Sequence, residues 1–151
     1  MRTLLVIAAV LLAGCEAPPP PPSKAAVDPV TESWYAPAIQ ELAALNGEAV
    51  ALGKAGKTHD AAERITKGQA IAGKLLAAPR PPIEAMQAAS DNETLYAQML
   101  LENKNYGWAR LSFQKNVSRW KHWRPETEES AKRLKEAQDG IAEVDRLLAK
   151  P

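Results

Sequence analysis

The chain has 151 residues, of which 46% are apolar, with 19 Lys/Arg against 18 Asp/Glu and a formal charge of +1. That near-balance excludes bulk nucleic-acid binding, which needs a basic excess. A single cysteine excludes a disulfide framework. Abundant alanine, few β-branched residues and no stretch alternating at period two exclude a sheet, so the expected class is all-α.

Leu4 to Ala13 is a ten-residue apolar run, about half of the roughly 20 residues needed to cross a bilayer. With Arg2 before it and small residues after it, the run has the form of a secretory signal peptide. Its end, Leu12-Ala13-Gly14-Cys15, closely resembles the lipobox of bacterial lipoproteins. The resemblance implies that residues 1–14 are removed, that the Cys15 sulfur receives a diacylglycerol, and that the freed amine is acylated. Each buried methylene contributes about 0.8 kcal/mol, and two or more chains anchor stably. In that family, aspartate directly after the cysteine tends to retain the product in the inner membrane. Glu16 stands there instead, so the resemblance implies a bacterial envelope protein on the outer membrane, facing the periplasm. Removing residues 1–14 takes away one base and no acid, leaving a neutral mature chain.

Pro18 to Pro22 predicts a polyproline II stub at about 3.1 Å per residue, roughly 15 Å in all. Ser23 to Pro29 is small and mixed, and residues 15–33 read as a lipid-anchored tether. Residues 34–150 are enough for one helical domain. In it, Tyr35, Ala38, Leu42, Leu45, Ala49 and Leu52 step by three and four along a first helix. Pro37 fits its first turn, and Gly53 and Gly56 mark its end. A second helix runs from Thr58 with Ala62, Ile65, Ala72 and Leu76 inward, and stops before Pro79. Pro81 and Pro82 open a short third segment. Ser90-Asp91-Asn92-Glu93 has the pattern of a capping box, which predicts a new helix or a kink at Ser90. The last helix starts near Glu126 to Glu129, where carboxylates suit a helix N-terminus, and carries Leu134, Ala137, Ile141, Val144 and Leu148 on one stripe. Four main helices and one short one predict a small antiparallel bundle.

Ala97, Leu100, Tyr106, Ala109 and Phe113 are spaced as in a tetratricopeptide helix pair, and "GKTHDAAERITKGQA" is faintly similar to the same turn and second helix. His59 and Ala62 then fall where Tyr106 and Ala109 do, 47 residues apart. The pattern departs in that spacing, where the family repeats at about 34 residues, at Lys104, where the family has glycine, and at Asn116, where it has a small residue. The resemblance implies tetratricopeptide-like hairpins and names no ligand.

Chemistry is thinly represented. His59 and Glu63, four apart, are two of the ligand types zinc uses, but two ligands do not make a site; a polar pair at a helix start explains them. No nucleophile elbow, zinc-protease motif or phosphate loop is present, so neither an enzyme, a cofactor nor a metal is expected. The unusual stretch is Asn103 to Pro125: six Lys/Arg, His122, three tryptophans and no acid. At about 100° per residue, Tyr106, Ala109, Phe113, Val117 and Trp120 share a core arc. Trp108, Leu111, Lys115, Arg119 and His122 lie opposite, a face that either packs on the last helix or meets a partner. The expected role is a non-enzymatic module that binds or assembles an envelope protein. The alternative is a binder of anionic envelope material, lipid headgroups or wall polymer, through residues 103–125.

Overall fold

The structure, a computed structural model, describes residues 27–150. The expected signal peptide, Cys15 and the proline run lie outside the described residues. Within them there are five α-helices, a short 3-10 turn at Pro29–Thr31 and no strand. The helices are α1 (Tyr35–Lys54), α2 (Thr58–Leu75), α3 (Ile83–Glu102), α4 (Tyr106–Lys121) and α5 (Glu128–Leu148).

Local chemistry accounts for the ends. Pro37 sits in the first turn of α1, where its missing N–H costs nothing. Gly56, at φ 73°, closes the turn after α1, a left-handed conformation glycine adopts freely. Thr127 caps α5: its hydroxyl accepts from the Ser130 amide at 3.1 Å, and the Ser130 hydroxyl accepts from the Thr127 amide at 2.9 Å. Glu128 and Glu129 occupy the first turn behind this cap, where the helix dipole favours carboxylates.

The expected break at Ser90 is absent. α3 runs unbroken for 20 residues, so the short third segment is the front half of a full helix. The side chains that would have capped a new helix are turned to other helices instead. Trp120 Nε1 of α4 donates to Ser90 Oγ at 2.8 Å. Arg133 of α5 is paired with Asp91. Asn92 Nδ2 donates to Asn46 Oδ1 of α1 at 2.9 Å and to the Ile65 carbonyl of α2 at 3.3 Å. Lys115 Nζ of α4 lies 3.2 Å from Glu93.

Apolar packing fills the space on either side of this polar belt. One cluster joins Tyr35, Leu42, Ala72, Leu75, Ala85, Ala88 and Ala89 of α1, α2 and the front of α3 with Ala78 of the loop between α2 and α3. Tyr35 is pinned there by its hydroxyl, which donates to the Leu75 carbonyl at 2.8 Å. The other joins Ala97, Leu100, Ala109, Phe113 and Val144 of the back of α3, α4 and α5. In α2 the inward residues are Ala61, Ile65, Gly68, Ala72 and Leu75. Ala62 and Leu76, expected inward, are half-buried, because Gly68 and not a larger residue faces α3 and the buried arc centres one position earlier. In α5, Ala137 and Val144 are buried, Leu134 and Ile141 are half-buried, and Leu148 is 55% exposed beyond the last contact.

The turn between α1 and α2 and the turn between α3 and α4 share three backbone hydrogen bonds at positions 48 residues apart. Ala55 N donates to Ala51 O as Asn103 N does to Met99 O, both at 3.1 Å. Gly56 N donates to Gly53 O at 3.0 Å as Lys104 N does to Leu101 O at 2.9 Å, and Lys57 N to Leu52 O at 2.9 Å as Asn105 N does to Leu100 O at 2.8 Å. Lys104 takes the left-handed conformation, φ 59°, that Gly56 takes in the first copy. Ala61 therefore matches Ala109, Ile65 matches Phe113, and Gly68 matches Asn116, all buried.

Two glycines are required by close approach. A Cβ on Gly68 would collide with the Asn92 amide and lie 3.1 Å from Leu42 Cδ1, and one on Gly140 would stand 2.5 Å from the Phe113 ring. A Cβ on Gly73 would meet nothing within 4 Å. Gly68→Ala and Gly140→Ala should therefore each lower stability by about 1–3 kcal/mol through overpacking, while Gly73→Ala should raise it by up to about 1 kcal/mol through helix propensity. Thermal melts of the three variants check this; equal shifts in the same direction would contradict the two close approaches.

Candidate functional site

On α4 the buried side is Ala109, Ser112, Phe113, Asn116 and Trp120. The apolar members were legible from the spacing. Ser112 and Asn116 were not, since polar residues carry no hydrophobic signal. Asn116 Nδ2 donates at 3.0 Å to both the Ser90 carbonyl and Thr94 Oγ1, which makes α4 specific to one register on α3. Val117 and Tyr106 are half-buried at the edge of the same arc.

The face expected to meet a partner divides in two. Trp108 is 67% and Leu111 41% exposed, side by side near the start of the helix, so this face does not pack on α5. His122 is exposed at the C-cap. Lys115 and Arg119 instead turn toward α3: Lys115 pairs with Glu93, and Arg119 is half-buried with its Nη1 donating to Asn116 Oδ1. Burial pushes the Arg119 guanidinium below its ordinary pKa, and the charge of Glu93 works against that shift. Arg119 was placed opposite the core from helical angle alone, but the core arc is centred nearer Asn116, and that brings Arg119 to its rim. Reversing its charge would disturb the α3–α4 contact as well as any surface.

Other bases of the 103–125 stretch are likewise engaged within the chain. Arg110 Nε donates to Asp145 Oδ1 of α5 at 2.8 Å, and this hydrogen bond and charge hold the exposed Asp145 carboxyl below the usual range. Arg124 Nη1 donates to the carbonyls of Trp123 and Lys121, at 2.6 and 3.3 Å. Trp123 packs edge-on against Trp120 at 6.1 Å between centroids. On the opposite flank the Arg133 guanidinium lies 5.6 Å from the Trp120 ring centroid and pairs with both Asp91 and Glu129. Burial lowers the pKa of Arg133, but the bonds and charges of the two carboxylates outweigh it and the net shift is upward.

The sequence does not point to a concavity that the structure contains. A cleft of about 620 Å³ lies between α1, α2 and α3, and another of about 540 Å³ runs across α1, α3 and α5. Val50, Leu95 and Gln98 line both, so they form one open groove. Val50 and Leu95 fall off the core stripes, Val50 exposed and Leu95 half-buried, and an apolar residue off its helix's stripe is the signal the sequence offers. His59 stands at the mouth, its Nε2 3.5 Å from Glu63, with both side chains more than half exposed. Among the described residues no group of three His, Cys, Asp or Glu side chains is placed to hold a metal ion. The groove offers shape and apolar contact, with amide and charged groups at its edges, rather than a nucleophile beside a base.

No protein-family model, curated protein or solved structure matches the chain.

Trp108→Ala should change stability by no more than about 0.5 kcal/mol, as for an ordinary surface site. Phe113→Ala removes a ring packed on Gly140 within the core and should cost roughly 3–5 kcal/mol. Chemical denaturation of the two variants decides it; similar losses would mean that Trp108 is part of the core.

Proposed function

We propose that this chain is a bacterial envelope lipoprotein, held by acyl chains on Cys15, whose helical domain is a non-enzymatic module for binding or assembling another envelope protein. Outer-membrane placement facing the periplasm follows from Glu16 in the same reading. The domain is built of two tetratricopeptide-like hairpins with α5 as a closing helix. That likeness draws support from the matched turn hydrogen bonds and the left-handed backbone at Lys104, where the family has glycine; the 48-residue offset departs from the roughly 34-residue repeat of the family. Helical hairpin stacks present extended surfaces rather than deep pockets, which suits protein ligands.

One observation carries the binding proposal: Trp108 and Leu111 stand exposed together on α4 while Arg110, Lys115 and Arg119 are engaged elsewhere. Large apolar side chains of this kind, tryptophan above all, dominate the energetics of protein interfaces. The anionic-ligand alternative loses support on the same ground, since Arg110, Lys115 and Arg119 already have partners. No helix among the described residues is long and apolar enough to cross a membrane; the anchor proposed is the lipid on Cys15.

A two-arm experiment tests this function. Cys15→Ala should remove the mass of the acyl chains and shift the protein out of the detergent-extracted fraction; unchanged mass and partition would sink the anchor. Crosslinking in intact envelopes should capture a defined protein with the parent chain, and Trp108→Ala with Leu111→Ala should abolish capture without lowering the melting temperature. Capture insensitive to that pair would place the partner surface elsewhere.

A further inference from the structure

Among the described residues, three of the seven large exposed apolar side chains, Val27, Val30 and Trp34, fall within the first eight. Their exposures are 67%, 36% and 41%. This is an ordered edge. The Asp28 carboxylate accepts from the Val30 amide at 3.1 Å, and Thr31 Oγ1 donates to the Asp28 carbonyl at 2.8 Å. Glu32 N then donates to Pro29 O at 3.1 Å, and Tyr35 N to Glu32 O at 3.0 Å. Trp34 leans on Tyr35 at 5.4 Å between ring centroids, and Tyr35 is itself fixed to α2 through the Leu75 carbonyl. The chain thus holds a tryptophan and two valines outward on a braced support.

We propose that this edge rests on the lipid bilayer, with Trp34 seated at the interface between headgroups and acyl chains. The inference rests on lipidation of Cys15. Only 11 residues lie between Cys15 and Val27, so the edge lies within about 40 Å of the anchor even when that segment is fully extended. A short tether sets an effective concentration on the order of millimolar, at which a small apolar contact suffices. Tryptophan is enriched at membrane interfaces because its ring is apolar while its N–H is polar. The edge also carries Asp28 and Glu32, which makes attraction to anionic headgroups a poor source of the contact and insertion of apolar surface the better one. Trp108 lies toward the other end of the bundle, because α4 runs away from the α3–α4 turn while α1 and α3 both start at the tether end. A helix of 20 residues is about 30 Å long, so bilayer contact at Trp34 leaves Trp108 free for a partner.

The test uses the membrane-extracted full-length product, reconstituted in vesicles of phosphatidylethanolamine and phosphatidylglycerol brominated on their acyl chains. Mass spectrometry of the same sample reports lipidation separately. If the acyl mass is absent, the lone thiol of Cys15 is coupled to a maleimide lipid, so that bilayer contact is tested whichever way the anchor falls. Part of the tryptophan fluorescence should be quenched by the brominated chains. That part should disappear in Trp34→Phe, persist in Trp108→Phe, shrink in Val30→Asp, and survive about 0.5 M salt, which screens exposed charges beyond a few ångströms. No quenching in the parent, quenching retained in Trp34→Phe, or quenching abolished by salt would each overturn the proposal.

Discussion

The indole N–H of Trp120 donates to Ser90 Oγ in the middle of α3, and the rest of the bundle is arranged around that helix. Five consecutive residues, Ser90 to Thr94, each bond to a neighbouring helix: Ser90 and Thr94 to α4, Asp91 to α5, Asn92 to α1 and α2, Glu93 to α4. Successive residues on a helix are turned by about 100°, so a run of polar residues sends one side chain toward every neighbour in turn. α3 can therefore serve as an axle only because it remains helical through this run. A break there would aim the five side chains at solvent.

A belt of buried polar bonds gives register where alanine-rich packing gives little. Each hydrogen bond contributes a net ~0.5–1.5 kcal/mol, and a buried group left without its partner costs about 1–3. Sliding α4 or α1 along α3 by one turn keeps apolar against apolar in both clusters but strands Asn46, Asn92, Asn116 and the Trp120 indole. The Asn92 amide also has one sensible orientation. Flipped, its oxygen would face Asn46 Oδ1 and the Ile65 carbonyl, two acceptors. Gly68 makes room for it, and the small residues Ala85, Ala88, Ala89 and Ala97 let helices approach on both sides of the belt.

Much of the fold was legible from residue spacing: the all-α class, the start of α1, the stripe of α5 and the apolar half of the α4 core. The misreadings have a common cause. Ser, Asp and Asn are the residues that cap helices, and they are also the residues that bond between helices, so Ser90 to Glu93 looked like a boundary when it was a hub. Lys104 takes a left-handed turn that glycine would have announced. Arg119 was misplaced because the helical wheel was centred on apolar residues, while Ser112 and Asn116 extend the buried arc toward α3. At the candidate site, the exposure of Trp108 and Leu111 could be posed from sequence only as one of two outcomes, because burial depends on where α5 lies. The groove around Val50, Leu95 and Gln98 arises where α1, α2, α3 and α5 meet, which no single stripe encodes.

If a rigid axle carries the hairpins, an exposed face such as Trp108 and Leu111 is presented in a fixed geometry and a partner meets little reorganisation. Native-state hydrogen exchange along the chain tests that rigidity most directly. The amides of Ser90 to Ala97 should exchange only through global unfolding, with a free energy equal to that from denaturant titration, while those at the outer ends of α1 and α5 open locally at lower cost. Exchange of the Ser90–Ala97 amides by local opening, more readily than the middle of α2 or α5, would contradict the central place given to α3.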